Sequence, residues 1–182
     1  MSISTKRGDD GRTRLFSGQT VLKSELRPRA YGALDEAVSA IGLARALASE
    51  GPLQEELLGI QRVSFLIGAE LATTPDALAD LSERLSAEHL SSLEALGERL
   101  ESELEIPPVF IVPGASTVGA ALDLARSIVR RAERSIVQLV ASDPGAVANE
   151  HLLPYINRLS DVLFLLARRE EQSQGTGTDR LK

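Results

Sequence analysis

The chain has 182 residues, of which 43% are hydrophobic and 25% are charged, an ordinary balance for one globular domain. The absence of Cys excludes disulfides, thiolate nucleophiles, zinc–cysteine sites and iron–sulfur clusters, and a total of two His weighs against a histidine zinc site or a serine–histidine–aspartate triad. No apolar run approaches the length of about 18 residues that a membrane span needs, and the sequence begins without the apolar core of a signal peptide. We therefore expect a cytoplasmic protein that makes no contact with a membrane.

The net charge of −6 is distributed unevenly along the chain. Residues 1–29 carry a net charge of +4, residues 30–110 carry −11 and residues 111–182 carry +1. The cationic segment is short and interrupted by glycines, and no aromatic residues alternate with its charges. These features favour a site for a small polyanion over a nucleic-acid-binding surface.

The first 29 residues are not predicted to be helical, because Gly8, Gly11, Gly18 and Pro28 interrupt them. After them, apolar residues recur at helical spacing in five segments, at about residues 30–49, 53–72, 77–102, 116–141 and 151–171. Short loops join these segments, and no strand alternation accompanies them. The predicted fold class is therefore all-α, with the five helices forming an antiparallel bundle.

The same pattern predicts how the chain is divided. Residues 1–29 form an N-terminal arm and residues 30–171 form the helical bundle domain. Residues 172–182, in which Gly and Thr alternate, are expected to be a disordered tail.

The arm brings hydrogen-bond donors, cations and carboxylates together within nine residues. Two glycines three positions apart allow backbone N–H groups to turn toward an anion, and lysine, arginine and threonine side chains add charge and donors. One of two adjacent aspartates would hold Mg²⁺ through water. The spacing differs from that of a P-loop, and a plain basic, flexible N-terminus is the alternative. The residues concerned are Thr5, Lys6, Arg7, Gly8, Asp9, Asp10, Gly11, Arg12 and Thr13.

Charged residues lie beside the apolar stripe of the fourth predicted helix. At the helical rotation of about 100° per residue, Arg126, Arg130 and Glu133 project within about 60° of each other. A charged face that borders an apolar stripe lies at a packing seam or at a binding site. The alternative is a solvated face on which Arg130 and Glu133 pair at i,i+3 spacing.

On the fifth predicted helix, Asn157, Asp161, Phe164 and Arg168 project along one line. An Asn side chain can bind a ribose or an adenine edge, and Asp161 can orient an arginine. The alternative is an ordinary polar edge with Phe164 in the core.

Two acidic residues, Asp35 and Glu36, lie near the start of the first predicted helix, where carboxylates favour the positive end of the helix dipole. His89 is expected to be an exposed side chain and His151 to lie near a helix cap. Neither histidine is a candidate for a site.

Five segments, taken in order, resemble those of one family. TKRGDDGRTRL resembles the pattern TKxGDxGxTxL, AYGALDEAVSAIG resembles AYGxVDELNSxIG, and FIVPGAS resembles FIxPGGS. LARSIVRRAER resembles LARxxxRRAER, and YINRLSDVLFLLAR resembles YLNRLSDxLFxLAR. Over about residues 4–170 the chain is similar to the PduO-type ATP:cob(I)alamin (corrinoid) adenosyltransferases.

The resemblance implies a homotrimer of five-helix bundles with its active site between subunits. The implied reaction transfers the 5′-deoxyadenosyl group of ATP to cob(I)alamin or another corrinoid and releases tripolyphosphate. ATP, Mg²⁺ and a corrinoid are the implied ligands, and a flavin reductase and an adenosylcobalamin-dependent mutase are possible partners. Nucleic acid and membrane are not expected partners.

The resemblance also implies roles for individual residues. The arm, residues 1–29, becomes a nucleotide-binding arm whose triphosphate contacts come from Thr5, Lys6, Gly8, Asp9, Gly11 and Thr13, joined by Lys23. Arg130, Glu133 and Asn157 would hold ATP, with Glu133 also holding its Mg²⁺. Asp35 would pair with Arg126 of a neighbouring subunit. Phe110 would face the corrin and keep the lower axial ligand off cobalt. The implied catalytic set is Arg130, Phe110, Asp35 and Arg126.

The sequence departs from the family pattern at a few positions. Val38 replaces a usual Asn and Ala115 replaces the second Gly of PGG, while Val129 stands where Cys is common. Asp123 stands where His is common, one turn before Arg126, where it would compete with Asp35 for that cation. The changes at Val38 and Ala115 leave open a non-catalytic carrier of corrinoid or ATP with the same fold. A separate alternative is a structural adaptor that docks through its Glu-rich third helix.

Overall fold

The computed structural model describes residues 6–176. They form a short N-terminal hairpin and five α-helices, which are β1 (Arg12–Arg14), β2 (Thr20–Leu22), α1 (Leu26–Leu47), α2 (Pro52–Leu71), α3 (Ala87–Glu103), α4 (Thr117–Ser142) and α5 (Leu152–Ser173). A 3-10 helix, Pro75–Asp80, lies between α2 and α3. The predicted five-helix bundle is confirmed, with the hairpin as an addition.

The bundle is organised around α4 and α5. α2 packs on α1, α1 on α4, α4 on α5 and α5 on α3. The apolar stripe predicted for α4 is buried along its length, at Leu122, Ala125, Val129, Ala132 and Ile136, because its spacing of three and four residues keeps these side chains on one face. Among residues 6–176, no helix is long and apolar enough to cross a membrane.

The first helix begins four residues earlier than the sequence indicates, at Leu26 instead of about residue 30. Pro28, predicted to interrupt the helix, lies in the first helical turn and is buried. A proline is tolerated there because the first backbone N–H groups of a helix have no partner within the helix. At the other end of the chain, α5 continues to Ser173, and residues 177–182 of the predicted tail lie outside the described residues.

The prediction of one continuous third helix over residues 77–102 is wrong. The chain is not helical between Leu81 and Ser86, both of which are extended, and the backbone N–H of Leu85 donates to the buried carboxylate of Glu70 at 2.7 Å instead of to a helical carbonyl. α3 then starts at a new cap, in which the side chain of Ser86 accepts from the backbone of His89 and the His89 ring accepts from the backbone of Ser86. His89, expected to be merely exposed, therefore holds the beginning of α3.

The arm contains a hairpin that the sequence did not predict. β1 and β2 are antiparallel, with Thr13 opposite Val21. The hairpin is fixed to the end of α2, where the Phe16 N–H donates to the Ala72 carbonyl at 2.8 Å and the Gln19 side chain donates to the Thr74 hydroxyl at 3.2 Å. The hairpin of the arm is therefore packed against the bundle.

Arg27, at the start of α1, also stabilises the region around the end of α2. Its guanidinium donates to the carbonyls of Leu71 and Thr73, both at 3.0 Å, and to that of Ala146 at 2.9 Å. Burial lowers the pKa of Arg27, and the charge of Asp143 opposes that shift in part. One side chain thus joins α1, the end of α2 and the loop between α4 and α5.

Candidate active site

A cationic cavity of about 640 Å³ lies on the arm. Four cationic side chains line it, together with two glycines, two threonines and one aspartate. They are Arg7, Gly8, Asp10, Arg12, Thr13, Arg14, Gly18, Thr20 and Lys23. None of the four cations is in an ion pair with another described residue, so the cavity keeps an uncompensated positive potential that suits a polyanion.

The hairpin positions the two arginines of β1. Because side chains alternate across a strand, Arg12 and Arg14 point to the same side, and both are exposed. The Arg14 side chain is held by a hydrogen bond of 2.9 Å from its Nε to the carbonyl of Gly18. Gly18 has a φ of 98°, a conformation that favours glycine, at the turn between the strands.

The turn before the hairpin is held by hydrogen bonds. Lys23 Nζ donates to the Gly8 carbonyl at 2.7 Å, and its backbone N–H donates to the Gly11 carbonyl at 2.9 Å. Asp10 accepts from the backbone N–H of Arg12 at 3.1 Å. Gly11 has a φ of 79°, which only glycine adopts without strain. The turn therefore presents its donors in a defined conformation.

The structure places the arm residues named from the sequence as follows. Gly8, Thr13 and Lys23 line the cavity, whereas Lys6 and Asp9 are exposed side chains outside its lining. Thr5 lies outside the described residues. Of the two aspartates, Asp10 is the one that lines the cavity. Arg14, Gly18 and Thr20 were missed, because their place in the cavity depends on a hairpin whose three-residue strands give no sequence signal.

A second, smaller cavity of about 270 Å³ lies where α3, α4 and α5 meet. Arg126 and Arg130 of α4 line it, with Asp161 and Phe164 of α5. The two faces that the sequence singled out on these helices therefore meet at one site. The remaining lining residues are Glu101, Ile106, Ser160 and Leu165.

Charged residues are buried behind this cavity. Arg168 is 3% exposed, and its Nη2 donates to Asp123 Oδ2 at 2.6 Å and to Glu171 Oε1 at 2.8 Å. The guanidinium of Arg168 also lies over the ring of Phe164, at 4.9 Å from the ring centre. The sequence placed Arg168 on the correct face but did not indicate its two carboxylate partners.

Arg126 is held within its own chain. Its Nε lies 3.5 Å from Asp123 Oδ1, one helical turn earlier. Asp35, the partner expected from a neighbouring subunit, is exposed on α1 and makes no ion pair among residues 6–176. The contact with Asp123 is the one ion pair of Arg126 in this part of the chain.

One part of the alternative interpretation of α4, a solvated face with ion pairs, agrees with the structure, and another part does not. Arg131 forms an ion pair with Glu36 of α1, as a surface charge would. The expected pair between Arg130 and Glu133 is absent from the described residues; Arg130 is exposed and Glu133 is half-buried. Arg130 and Glu133 therefore keep their charges available.

Two further predicted residues lie near this region of the fold. Asn157 is exposed on α5, one turn before Asp161, and is outside the lining of the small cavity. Phe110 is 82% exposed on the loop between α3 and α4, the loop that also supplies Ile106 to the cavity. Among the described residues, no group of three or more His, Asp and Glu side chains is arranged to hold a metal ion.

Known proteins share this fold. A family model described as cobalamin adenosyltransferase matches residues 3–170. A corrinoid adenosyltransferase of Citrobacter freundii is 37% identical over 169 residues, which cover 93% of this chain and 94% of that relative. The corrinoid adenosyltransferase PduO of Salmonella typhimurium is 39% identical over 94% of this chain, which spans 50% of that longer relative.

A solved structure agrees along the whole chain. It is a variant PduO-type ATP:corrinoid adenosyltransferase from Lactobacillus reuteri, complexed with cobalamin and ATP. Its sequence is 33% identical, its TM-score is 0.91, and the match covers 100% of this chain and 99% of that one. With a family model that covers most of its length, this chain belongs to the cobalamin adenosyltransferase family.

Proposed function

We propose that this ATP:corrinoid adenosyltransferase works at a site built from two copies of the chain, within a homotrimer. The observation that carries the proposal is the separation of two half-sites. The cationic cavity of the arm and the small cavity between α3, α4 and α5 share no lining residue. A nucleotide held by both would have its polyphosphate on the arm of one subunit and its adenosine on the helices of the next.

The reaction forms one bond and breaks one. The corrinoid is the substrate, and the lone pair of its cobalt(I) forms the cobalt–carbon bond to C5′ of ATP. The bond from C5′ to the first phosphate oxygen breaks, and its electron pair leaves with tripolyphosphate. Because cobalt is the nucleophile, the chain needs no Cys, His or Ser for this task. It must align the two substrates and stabilise the charge that grows on the leaving group.

The arm suits the leaving group. Arg12, Arg14 and Lys23 supply uncompensated positive charge, and the turn at Gly8 and Gly11 supplies backbone donors. Lys6 and Thr13, together with Thr5, complete the donors that we assign to the triphosphate, whereas the carboxylate of Asp9 would hold its Mg²⁺ through water. These donors bind the leaving group more tightly as its charge grows, so they lower the barrier as well as holding ATP.

The helices suit the nucleoside and the metal that accompanies ATP. Arg130 and Asn157 present free polar groups on neighbouring helices. Glu133 is half-buried and makes no ion pair with another described residue, and a free carboxylate is the kind of hard oxygen ligand that Mg²⁺ takes. When bound, Mg²⁺ would neutralise part of the triphosphate charge. A single carboxylate fits an ion whose other ligands are phosphate oxygens and water.

The loop between α3 and α4 suits the corrin. Val109, Phe110 and Val112 all expose apolar side chains there, and none of them can bind cobalt. An apolar wall of this kind keeps water and the lower axial ligand away, which makes four-coordinate cob(II)alamin easier to reduce. In a trimer, Asp35 would reach Arg126 of the partner subunit near this wall.

The departures at Val38 and Ala115 lie at the following places in the fold. Val38 is a buried core residue of α1 whose carbonyl accepts from Gln61. Ala115 is half-buried next to the cap of α4. Within one chain, neither position lies in a cavity lining described above. A cytoplasmic location, the flavin reductase and the adenosylcobalamin-dependent mutase stay predictions.

Anaerobic turnover tests the activity. The chain is mixed with ATP, Mg²⁺ and chemically reduced cobalamin, and the loss of cob(I)alamin absorbance is followed together with the release of tripolyphosphate. We expect multiple turnovers to a light-sensitive alkylcobalamin. Tight binding of adenosylcobalamin without turnover would instead identify a non-catalytic carrier.

Subunit mixing tests the shared site. One inactive variant carries Arg12→Ala and Arg14→Ala on the arm, and the other carries Arg130→Ala on α4. When the two are unfolded and refolded together, about a quarter of the shared sites receive both intact halves, so activity should return to about a quarter of the wild-type value. If each site lay within a single chain, no mixture would recover activity.

A further inference from the structure

The carboxylate of Asp123 lies between two arginines of different exposure. Arg168 is 3% exposed and bonds to one oxygen of Asp123, whereas Arg126 is 30% exposed and faces the other. Asp123 itself is 4% exposed. The buried arginine therefore fixes the carboxylate, and the fixed carboxylate leaves its second oxygen directed at the arginine that lines the small cavity.

The surroundings leave Asp123 little freedom. Glu171 shares the Nη2 of Arg168 at 2.8 Å, and Glu171 packs against Gly119, where a Cβ atom would lie 3.0 Å from the glutamate oxygen. Asp123 and Gly119 belong to the N-terminal half of α4, and Arg168 and Glu171 belong to the last turns of α5. The contacts hold the two helices in register at the height of the cavity.

Stability alone accounts poorly for this arrangement. Burying three charged side chains carries a desolvation cost that their mutual attraction seldom exceeds, so apolar residues of similar volume would stabilise the helix pair as well or better. The arrangement does something that apolar residues cannot do. It presents a charged oxygen of fixed position to Arg126, whose flexible side chain would otherwise sample many rotamers at a considerable entropic cost.

We infer that Asp123 is a positioning residue for Arg126, and that it orients the guanidinium before substrate and the partner subunit arrive. The inference deepens the proposed function, because it rests on the role assigned to Arg126 in the shared site. The closest approach is at Nε, which is buried and makes no hydrogen bond with another described residue, so Asp123 acts on Arg126 by charge and the two Nη groups remain available to other partners. Asp123 and Asp35 of the partner subunit would therefore bind different edges of one guanidinium and would not compete for it.

The test compares two substitutions that each leave one carboxylate on Arg168. Asp123→Asn removes the carboxylate charge beside Arg126, and Glu171→Gln is the comparison variant, because it removes the other buried carboxylate charge on Arg168. Because an ångström-scale misplacement of a site residue is costly, we expect Asp123→Asn to lower kcat/KM by about tenfold. Glu171→Gln should stay within twofold of wild type, although the melting temperatures of both variants fall.

A double-mutant cycle shows whether Asp123 acts through Arg126. In an Arg126→Ala background, adding Asp123→Asn should change kcat/KM by less than twofold, while its effect on the melting temperature persists. An equal loss of activity in both backgrounds would overturn the inference and leave a structural role only. Turnover by the wild-type chain is measured alongside, so a failure of the proposed function is recognised separately.

A measurement on the wild-type chain covers the case in which Asp123→Asn does not fold. The Nε–H of Arg126, assigned by comparison with Arg126→Ala, should exchange slowly with solvent in nuclear magnetic resonance spectra recorded without ligands, because Nε is buried at 3.5 Å from the Asp123 carboxylate. Exchange as fast as that of the exposed Arg134 would show that no orientation precedes binding. Slow exchange that persists in Glu171→Gln supports positioning by Asp123.

Discussion

Lys23 Nζ donates to the carbonyl of Gly8 across the mouth of the cationic turn, at 2.7 Å. A Cβ atom on Gly8 would lie 2.9 Å from the same nitrogen. The backbone of Gly8 can accept an alanine, because its φ is not positive. Gly8→Ala should therefore leave the fold intact and displace the lysine end, with a shift of a few tenths of an ångström against the Arg12 carbonyl, which would lie 3.3 Å from the new Cβ.

Loss of this one contact predicts a selective effect on ATP. An exposed charge-assisted hydrogen bond contributes about 1 kcal/mol, so Gly8→Ala should raise the KM for ATP by about fivefold with kcat changed less. Gly59→Ala is the control, since Gly59 lies in α2 with nothing within 4 Å of an added Cβ. That change should raise the free energy of unfolding by about 1 kcal/mol and leave KM unchanged. Equal KM values for Gly8→Ala and wild type would remove Lys23 from the triphosphate site.

Arg130 and Asn157 carry the proposed nucleoside contacts, and both are exposed. Arg130→Ala or Asn157→Ala should lower kcat/KM at least about tenfold, equivalent to about 1.4 kcal/mol in the barrier. Because exposed side chains contribute little to folding, the free energy of unfolding should stay within about 0.5 kcal/mol of wild type. Arg134→Ala, on the next turn of α4, is the control and should keep full activity. Wild-type kinetics for both site variants would refute the assignment.

The long helices were predictable because their patterns are local. In α4, burial repeats at every third or fourth residue from Leu122 to Ile136, and no distant contact is needed to read that period. The prediction of the third helix failed because Leu81 and Leu85 keep a helical spacing across a segment that is not helical. The backbone N–H of Leu85 binds Glu70, 15 residues earlier in the chain, and no local pattern contains that contact.

The same distinction, between local patterns and contacts of distant residues, applies to the candidate site. The family resemblance indicated Arg126, Arg130 and Phe110, because their motifs are continuous in sequence. It did not indicate that Asp123 binds Arg168, which lies 45 residues away. Nor did it indicate Arg14, whose side chain joins the cavity only through a hairpin of three-residue strands. Such short strands carry too few residues to display alternation.

Glu56 joins three helices and gives the chain a pH-dependent contact. Its carboxylate, on α2, accepts from Arg99 of α3 at 2.7 Å and also bonds to Arg169 of α5. Burial alone raises the pKa of Glu56, but the hydrogen bonds and charges of Arg169 and Arg99 outweigh it, so the pKa lies below its ordinary value. A carboxylate of this kind stabilises the fold above its unfolded pKa, and its contribution is lost as the pH falls through the folded pKa.

Glu56→Gln should therefore destabilise the fold at pH 7, by about 1 to 2 kcal/mol. The difference from wild type should shrink as the pH falls below the unfolded glutamate pKa, about 4.3, and through the lower folded pKa of Glu56, where the wild-type carboxylate is also protonated. Chemical unfolding at both pH values measures it, with Glu83→Gln, an exposed residue of the loop before α3, as control. A difference that stays constant with pH would show that the cost comes from packing and not from the charge.

Phe110 projects from the loop between α3 and α4 with 82% of its surface exposed. An aromatic side chain that exposed contributes little to folding, so Phe110→Ala should leave the melting temperature unchanged. If its ring keeps the lower ligand off cobalt, the variant should bind cob(II)alamin in its five-coordinate form, which electron paramagnetic resonance distinguishes from the four-coordinate form. Turnover that starts from cob(II)alamin with a reductant should fall by at least about tenfold. Turnover that starts from chemically prepared cob(I)alamin should fall less, because that path bypasses the reduction.

The control is Phe65→Ala, a change to an exposed phenylalanine of α2, which should alter neither the spectrum nor the rate. A four-coordinate spectrum from Phe110→Ala would mean that another side chain excludes the lower ligand.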